Sequence, residues 1–258
     1  MSTFADLTWL RRAPGAPPFV VAHRGASGLA PENTLAAFRR ALEIGAPAVE
    51  CDVHLTADDV PIVIHDARVD RTTDGTGDVA SLRLAELRAL DAGRWFSPSY
   101  AGERLPTLDE VLTASAGRAR VFVELKVGGG AALVDRALAD VQRCDAAVAI
   151  ISFGPEEVRL VAERRPDLPL GFLVARKTVE ERGVAEVIEK AAQLGAGFIS
   201  PQEGSVDVSF VAAAHGTGLP VSVWTVDDPD RMRTLANLGV DAITTNQPDV
   251  ALALLATR

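Results

Sequence analysis

From Phe19 onward, short apolar runs alternate with longer stretches in which apolar residues recur every third or fourth position. Eight runs read as strands: FVVAH (19–23), PAVECDV (47–53), RVFVEL (120–125), VAIISF (148–153), LGFLV (170–174), GFIS (197–200), VSVWTV (221–226) and DAITT (241–245). Short apolar runs bounded by turn residues suit strands buried on both faces. The intervening stretches carry helical spacing, as in Leu35, Phe38 and Leu42, or Leu133, Ala137 and Val141. Strands alternating with helices imply a parallel sheet. Eight such units in 258 residues favour an α/β fold closed as a TIM-type (β/α)8 barrel over an open doubly wound sheet. A dinucleotide-binding sheet would need a GxGxxG turn after its first strand. Here His23-Arg24 fills that place, and Gly25 and Gly28 do not complete the pattern. The triple glycine at 128–130 reads as a flexible helix entry.

One connection is too long for a barrel loop, with about forty residues between His65 and Pro106. Long segments inside compact domains are usually functional covers or inserted subdomains. The expected organisation is therefore an N-terminal tail (1–18), set apart by its proline-rich end, and a barrel domain (19–258). An insertion at about 67–106 is placed over the barrel mouth as a substrate cover. Within it Phe96 is expected to touch substrate, and Trp95 to belong to a small local core.

Composition narrows the partners. A formal charge of −9 argues against nucleic acid, which needs a basic stripe to neutralise phosphates. The chain lacks a run of roughly 18 apolar residues and a secretory leader pattern, so the expectation is a cytoplasmic protein without stable membrane insertion. Cys51 and Cys144 are expected to be free thiols.

The chemistry is sought at the carboxyl ends of the strands, where active sites of such barrels lie. The first strand ends in His23-Arg24. The second carries Glu50 and Asp52 two residues apart, hence on one face, and the third carries Glu124 and Lys126 in the same relation. Like charges in an apolar setting are costly unless a cation compensates them. Three converging carboxylates suit one hard divalent cation, Mg²⁺ or Ca²⁺; salt bridges to Arg24 and Lys126 are the alternative reading. The segment VPIVIHD (60–66) reads as a hairpin that returns His65 to the mouth. Two histidines beside a metal cluster and two cations fit acid–base work on a phosphoryl group. Asp66 either orients His65 or caps its loop. His54 is expected to be structural, His215 to cap a helix end, and Asp227 and Asp228 to start a helix.

The runs HRGASGLAPENTLAAF (23–38), VECDVHLTADDVPIVIHD (49–66), VELK (123–126), ISF (151–153) and VWTVDD (223–228) resemble, in order, the motifs of the glycerophosphodiester phosphodiesterases. The resemblance spans nearly the whole chain after the tail. It implies His23 and His65 as the acid–base pair, and Glu50, Asp52 and Glu124 as metal ligands. It places Arg24 and Lys126 on the phosphate and Trp224 against the glycerol. Glu32 and Asn33 fall in its PENT motif at the mouth, with Asn33 counted among the substrate-binding residues. It further implies release of glycerol 3-phosphate and an alcohol through a cyclic phosphate. One departure is Asn246, where the family more often carries Asp. Two other functions remain in view: a lysophospholipase D on the same fold, which would need an apolar ramp at the mouth, and a non-catalytic barrel that binds phosphate esters.

Overall fold

The computed structural model describes residues 5–256. All eight anticipated runs form strands, and a ninth strand supplies the hairpin. The strands are β1 (Phe19–Ala22), β2 (Ala48–Leu55), β3 (Pro61–Val63), β4 (Arg120–Leu125), β5 (Val148–Ser152), β6 (Leu170–Val174), β7 (Phe198–Pro201), β8 (Ser222–Val223) and β9 (Ala242–Thr245). Eight lie parallel in the order β7-β6-β5-β4-β2-β1-β9-β8. Single bridges, Ile199 to Val221 and Gln202 to Trp224, join β7 to β8 and bring the sheet round on itself. β3 folds back antiparallel on β2, with Val53 opposite Val63. That pairing carries the chain back toward the mouth just before His65.

Alternation along each strand sorts side chains into two cores. Outward residues such as Val49, Cys51, Val121, Val123 and Ile150 pack under the helices. Inward residues form a smaller core from Val21, Ala48, Phe122, Ala149, Ile151, Leu173, Phe198 and Ala242. Large and small residues interdigitate inside the barrel. Phe198 lies over Gly171, where an added Cβ would sit 2.3 Å from its ring. Cys51 and Cys144 are both free, Cys51 buried and Cys144 half-buried.

The leading segment, read from the sequence as a tail apart from the fold, closes the base of the barrel. Leu7, Trp9 and Leu10 join the inner core, and Trp9 meets Phe19 and Phe122 edge-on at 5.4 and 5.8 Å. The Arg12 backbone N–H donates to Asp241 at 3.0 Å. The proline-rich stretch turns the chain without detaching it, because three apolar side chains have a core to fill.

The insertion is a subdomain with a core of its own, built from Ile62, Ile64, Val69, Val79, Leu87, Ala92 and Leu105. Tyr100 hooks it to the loop after β1 by donating its hydroxyl to the Leu29 carbonyl at 3.1 Å.

Candidate active site

At the end of β1 the backbone turns sharply, with Arg24 in the left-handed region at φ 56° and Gly25 at φ 80°. A Cβ on Gly25 would lie 2.6 Å from the Ala37 backbone, so only glycine lets the loop pass under helix Leu35–Glu43. Left-handed backbone at a non-glycine residue persists where its surroundings hold it. Here the Arg24 N–H donates to Glu50 Oε2 at 2.9 Å. The carbonyl of Arg24 in turn accepts from the Asn33 N–H at 3.0 Å.

The register of β2 and β4 sets Asp52 beside Glu124 and Glu50 beside Phe122. Glu50, Asp52 and Glu124 are all buried, and one oxygen of each lies within 4.8 Å of the others. Lys126 Nζ bridges two of them, 2.6 Å from Asp52 and 2.7 Å from Glu124. Arg24 Nε lies 3.2 Å from Asp52, and its Nη1 donates to Glu32 at 2.8 Å. Two cations thus face three acids. Among the described residues, Glu50 Oε1 is buried without a hydrogen-bond partner.

That imbalance shows in protonation. Burial, then the charges of Asp52 and Glu124, drives Glu50 well above the ordinary carboxylate range. Burial and Asp52 push Glu124 up to about 7 despite Lys126. Burial acts the same way on Asp52, but Lys126 and Arg24 outweigh it and hold that carboxyl well below the range. A divalent cation would relieve the two raised acids and give Glu50 Oε1 a partner. The donor set fits such an ion: hard oxygens alone, from two strands, around one point.

The two histidines stand on either side of this cluster with unlike supports. His23 Nδ1 donates to Asn246 Oδ1 at 2.7 Å, and Nε2 lies 3.9 Å from Glu50. Burial and the neighbouring Arg24 lower its pKa to about 4. His65 Nδ1 donates to the Asp66 carboxylate at 2.6 Å. Arg71 from the insertion clamps Asp66 at 2.6 Å and Glu32 at 2.7 and 2.9 Å. Burial lowers the His65 pKa as well, against the pull of Asp52. His54 donates to the His65 carbonyl at 3.1 Å, which secures the backbone of that turn, as a structural residue should.

These groups open on a cavity of about 220 Å³ lined on its polar side by His23, Arg24, Glu50, His65 and Glu124. Phe153 and Trp224 form its apolar wall, edge to face at 5.2 Å, with the indole N–H donating to the Ser200 carbonyl at 2.8 Å. The roomier hollows, one at the base of the barrel and one beside helices Arg176–Arg182 and Val184–Gln193, hold no such carboxylate cluster among the described residues.

Three residues expected on substrate lie outside the cavity lining. Asn33 is buried behind the cluster, where its Nδ2 donates to Asp52 Oδ2 at 2.7 Å. It holds an acid in place instead of meeting a ligand. Phe96 lies outside the cavity lining and packs between Trp95 and Tyr100 at 5.8 and 5.7 Å. The insertion supplies none of the lining residues among those described and meets the mouth through Arg71. Lys126, just past the carboxyl end of β4, turns its Nζ onto Asp52 and Glu124.

The sequence reading missed Arg71, and it noted Asn246 only as a departure and Asp227 only as a helix start, without their link to His23. Arg71 offers no local signal in DARVDR. The Asp-Asp-Pro run could have flagged Asp227, because one aspartate suffices to cap a helix. Asp228 does so, accepting from Asp230 and Arg231 at 2.7 and 3.2 Å. Asp227 is thereby free to bind Asn246. His215 sits in the last turn of its helix and donates to the buried Asp241 at 2.8 Å.

Comparison with known proteins adds independent findings. A family model described as "Glycerophosphoryl diester phosphodiesterase family" matches residues 23–250. A glycerophosphodiester phosphodiesterase of Caldanaerobacter subterraneus subsp. tengcongensis is 35% identical over 242 residues, covering 92% of this chain and 97% of that one. One from Bacillus subtilis is 33% identical over 248 residues, covering 89% and 84%. Among solved structures, an Oleispira antarctica phosphodiesterase in complex with the product sn-glycerol-3-phosphate superposes with a TM-score of 0.87. It shows 29% identity and covers 93% of this chain and 98% of that one.

Proposed function

The chain belongs to the glycerophosphoryl diester phosphodiesterase family, and from that we propose that it hydrolyses glycerophosphodiesters to glycerol 3-phosphate and an alcohol with the help of one divalent cation. The observation that carries this reading is one buried cluster at the barrel mouth, where three acids meet two cations beside a cavity lined by two histidines. The product bound in the Oleispira antarctica neighbour is consistent with the substrate class.

Glu50, Asp52 and Glu124 would hold the ion, Mg²⁺ or Ca²⁺. When bound it would draw charge from the phosphoryl oxygens as a Lewis acid. Arg24 and Lys126 stand next to these carboxylates and would meet the remaining phosphate oxygens. Trp224 and Phe153 supply the apolar wall for the glycerol carbons.

The histidine supports divide the proton work. With Nδ1–H given to an amide oxygen, His23 presents a bare Nε2 and serves as base. It takes the proton of the glycerol 2-hydroxyl as that oxygen bonds to phosphorus. The bond from phosphorus to the alcohol oxygen breaks, and that oxygen receives a proton from His65, whose positive form Asp66 favours. The products of this step are the alcohol and a five-membered cyclic phosphate. In the second step His65 takes a proton from water as the water oxygen bonds to phosphorus. His23 returns its proton to the glycerol oxygen that leaves the ring.

The test is release of glycerol 3-phosphate from glycerophosphocholine by chelator-stripped enzyme, with Mg²⁺ or Ca²⁺ returned. Release is expected only with an added ion. Activity that survives chelation removes the ion from the reaction. His23→Ala and His65→Ala are each expected to lower turnover by about 10²–10⁴-fold; wild-type turnover in either would strip that histidine of its part.

A further inference from the structure

The support beneath His23 is a built device, and it reaches beyond the groups that touch substrate. As a carboxylate, Asp227 only accepts hydrogen bonds. Its Oδ1 takes the Thr245 hydroxyl at 2.9 Å and the Asn246 backbone N–H at 2.8 Å, and its Oδ2 takes the Asn246 amide Nδ2 at 2.6 Å. An acceptor on that side leaves Asn246 one orientation, with Nδ2 toward Asp227 and Oδ1 toward β1. Oδ1 then accepts twice, from Ser27 Oγ at 2.8 Å and from His23 Nδ1 at 2.7 Å. An amide oxygen cannot donate, so the His23 proton must reside on Nδ1.

We propose that Asn246 and Asp227 are the positioning residues of His23, and that they fix its Nδ1–H tautomer and aim the bare Nε2 into the cavity. This rests on the reading of His23 as a proton-transfer group. A carboxylate does the same task for His65, but in direct contact with the ring. At His23 an amide stands between ring and carboxylate. The ring is therefore oriented by the aspartate without touching its charge. Both supports hold the Nδ1–H tautomer, and the direct carboxylate favours the protonated ring more than the amide does. Neither residue lines the cavity, so each acts through His23.

Reversing the polarity of the pair tests the device. Asp227→Asn sets two amide groups against each other. Asn246 is then expected to rotate, to offer its NH₂ to His23, and to move the imidazole proton to Nε2. Turnover should fall by about 10²–10⁴-fold with KM little changed, the scale set by a wrong tautomer elsewhere. The exchange Asn246→Asp with Asp227→Asn rebuilds the hydrogen bonds between the pair and the ring with the roles swapped. The carboxylate now at position 246 accepts from His23, and the amide now at position 227 donates to that carboxylate. The exchange variant is expected to recover most of the rate. In parallel, ¹⁵N NMR of histidine-labelled protein reads the tautomer directly, whether or not His23 takes part in chemistry. A protonated Nδ1 in the wild type and the exchange variant, lost in Asp227→Asn, supports the device. An Nε2–H tautomer in the wild type overturns it, as does Asp227→Asn with an unaltered tautomer, or a folded exchange variant no faster than the single one. Wild-type turnover in His23→Ala, with the tautomer shifts as described, sinks the role of His23 and not the lock.

Discussion

Asn33 shows how one side chain can matter to a reaction it never touches. Its left-handed backbone, at φ 57°, turns the amide back onto Asp52, and asparagine tolerates that conformation better than most residues. Asn33→Ala should weaken Mg²⁺ or Ca²⁺ affinity by about 10–100-fold, the usual effect of losing a group that orients a ligand. Asn33→Gly keeps the backbone at ease and deletes only the amide, so calorimetric titration of both separates orientation from strain. Equal ion affinity in wild type and Asn33→Gly would leave the amide without a part in ion binding. Which of the site was legible follows from chemistry of this kind. Glu50, Asp52, Glu124, His23 and His65 declared themselves because acids in an apolar strand and histidines at strand ends have few uses. Asn33 and Asn246 are uncharged and suit any turn, and what they hold depends on contacts with residues 19 and 223 positions away.

Among elements, the joints between neighbouring units follow the same logic. The triple-glycine turn after β4 carries Lys126 at its start, and it is fastened from the next unit by Glu157 in helix Pro155–Arg164. That buried carboxylate accepts from the Gly128 and Gly130 N–H groups at 3.1 and 3.2 Å. The nest that a phosphate could have used is thus filled by the protein itself. Glu157→Ala should cost about 1–3 kcal/mol by leaving both N–H groups unpaired, measured as a lower urea midpoint with an unchanged m-value. A midpoint equal to wild type would make the clamp incidental. The strands were readable because each is a run of apolar residues, and the hairpin because VPIVI follows a turn. The insertion misled because an aromatic pair looks alike whether it faces a substrate or a neighbour. Val69, Val79, Leu87 and Leu105 turn out to make a separate core, and Phe96 packs at its edge with Trp95 and Tyr100.

At the scale of the whole molecule, barrel closure forces acids from β2 and β4 together, and folding must bear that repulsion. The consequence is a stability that depends on pH and on the ion together. In the unfolded chain Glu124 titrates near its ordinary 4.5, and in the folded protein near about 7. The folded state therefore binds the extra proton between those values, and stability falls as pH rises through them. Glu50 shifts in the same direction. Asp52 has the opposite sign, but its contribution changes only below the ordinary carboxylate range; His23, lowered from 6.5 to about 4, and His65 and His54, lowered as well, oppose the acids below the ordinary histidine value. The shift of Glu124 corresponds to a ceiling of about 3 kcal/mol. A divalent ion binds the deprotonated acids, so its stabilisation should grow over the same window. The opposing histidine contribution is complete by about pH 6.5, so chelator-treated protein is expected to lose melting temperature from about pH 6.5 to about pH 8, with a flatter profile in saturating Mg²⁺. Glu124→Gln, which cannot ionise, should flatten the profile without any ion. A chelated protein whose melting temperature stays level across this range, or climbs, would mean that these acids do not repel one another enough to govern the fold.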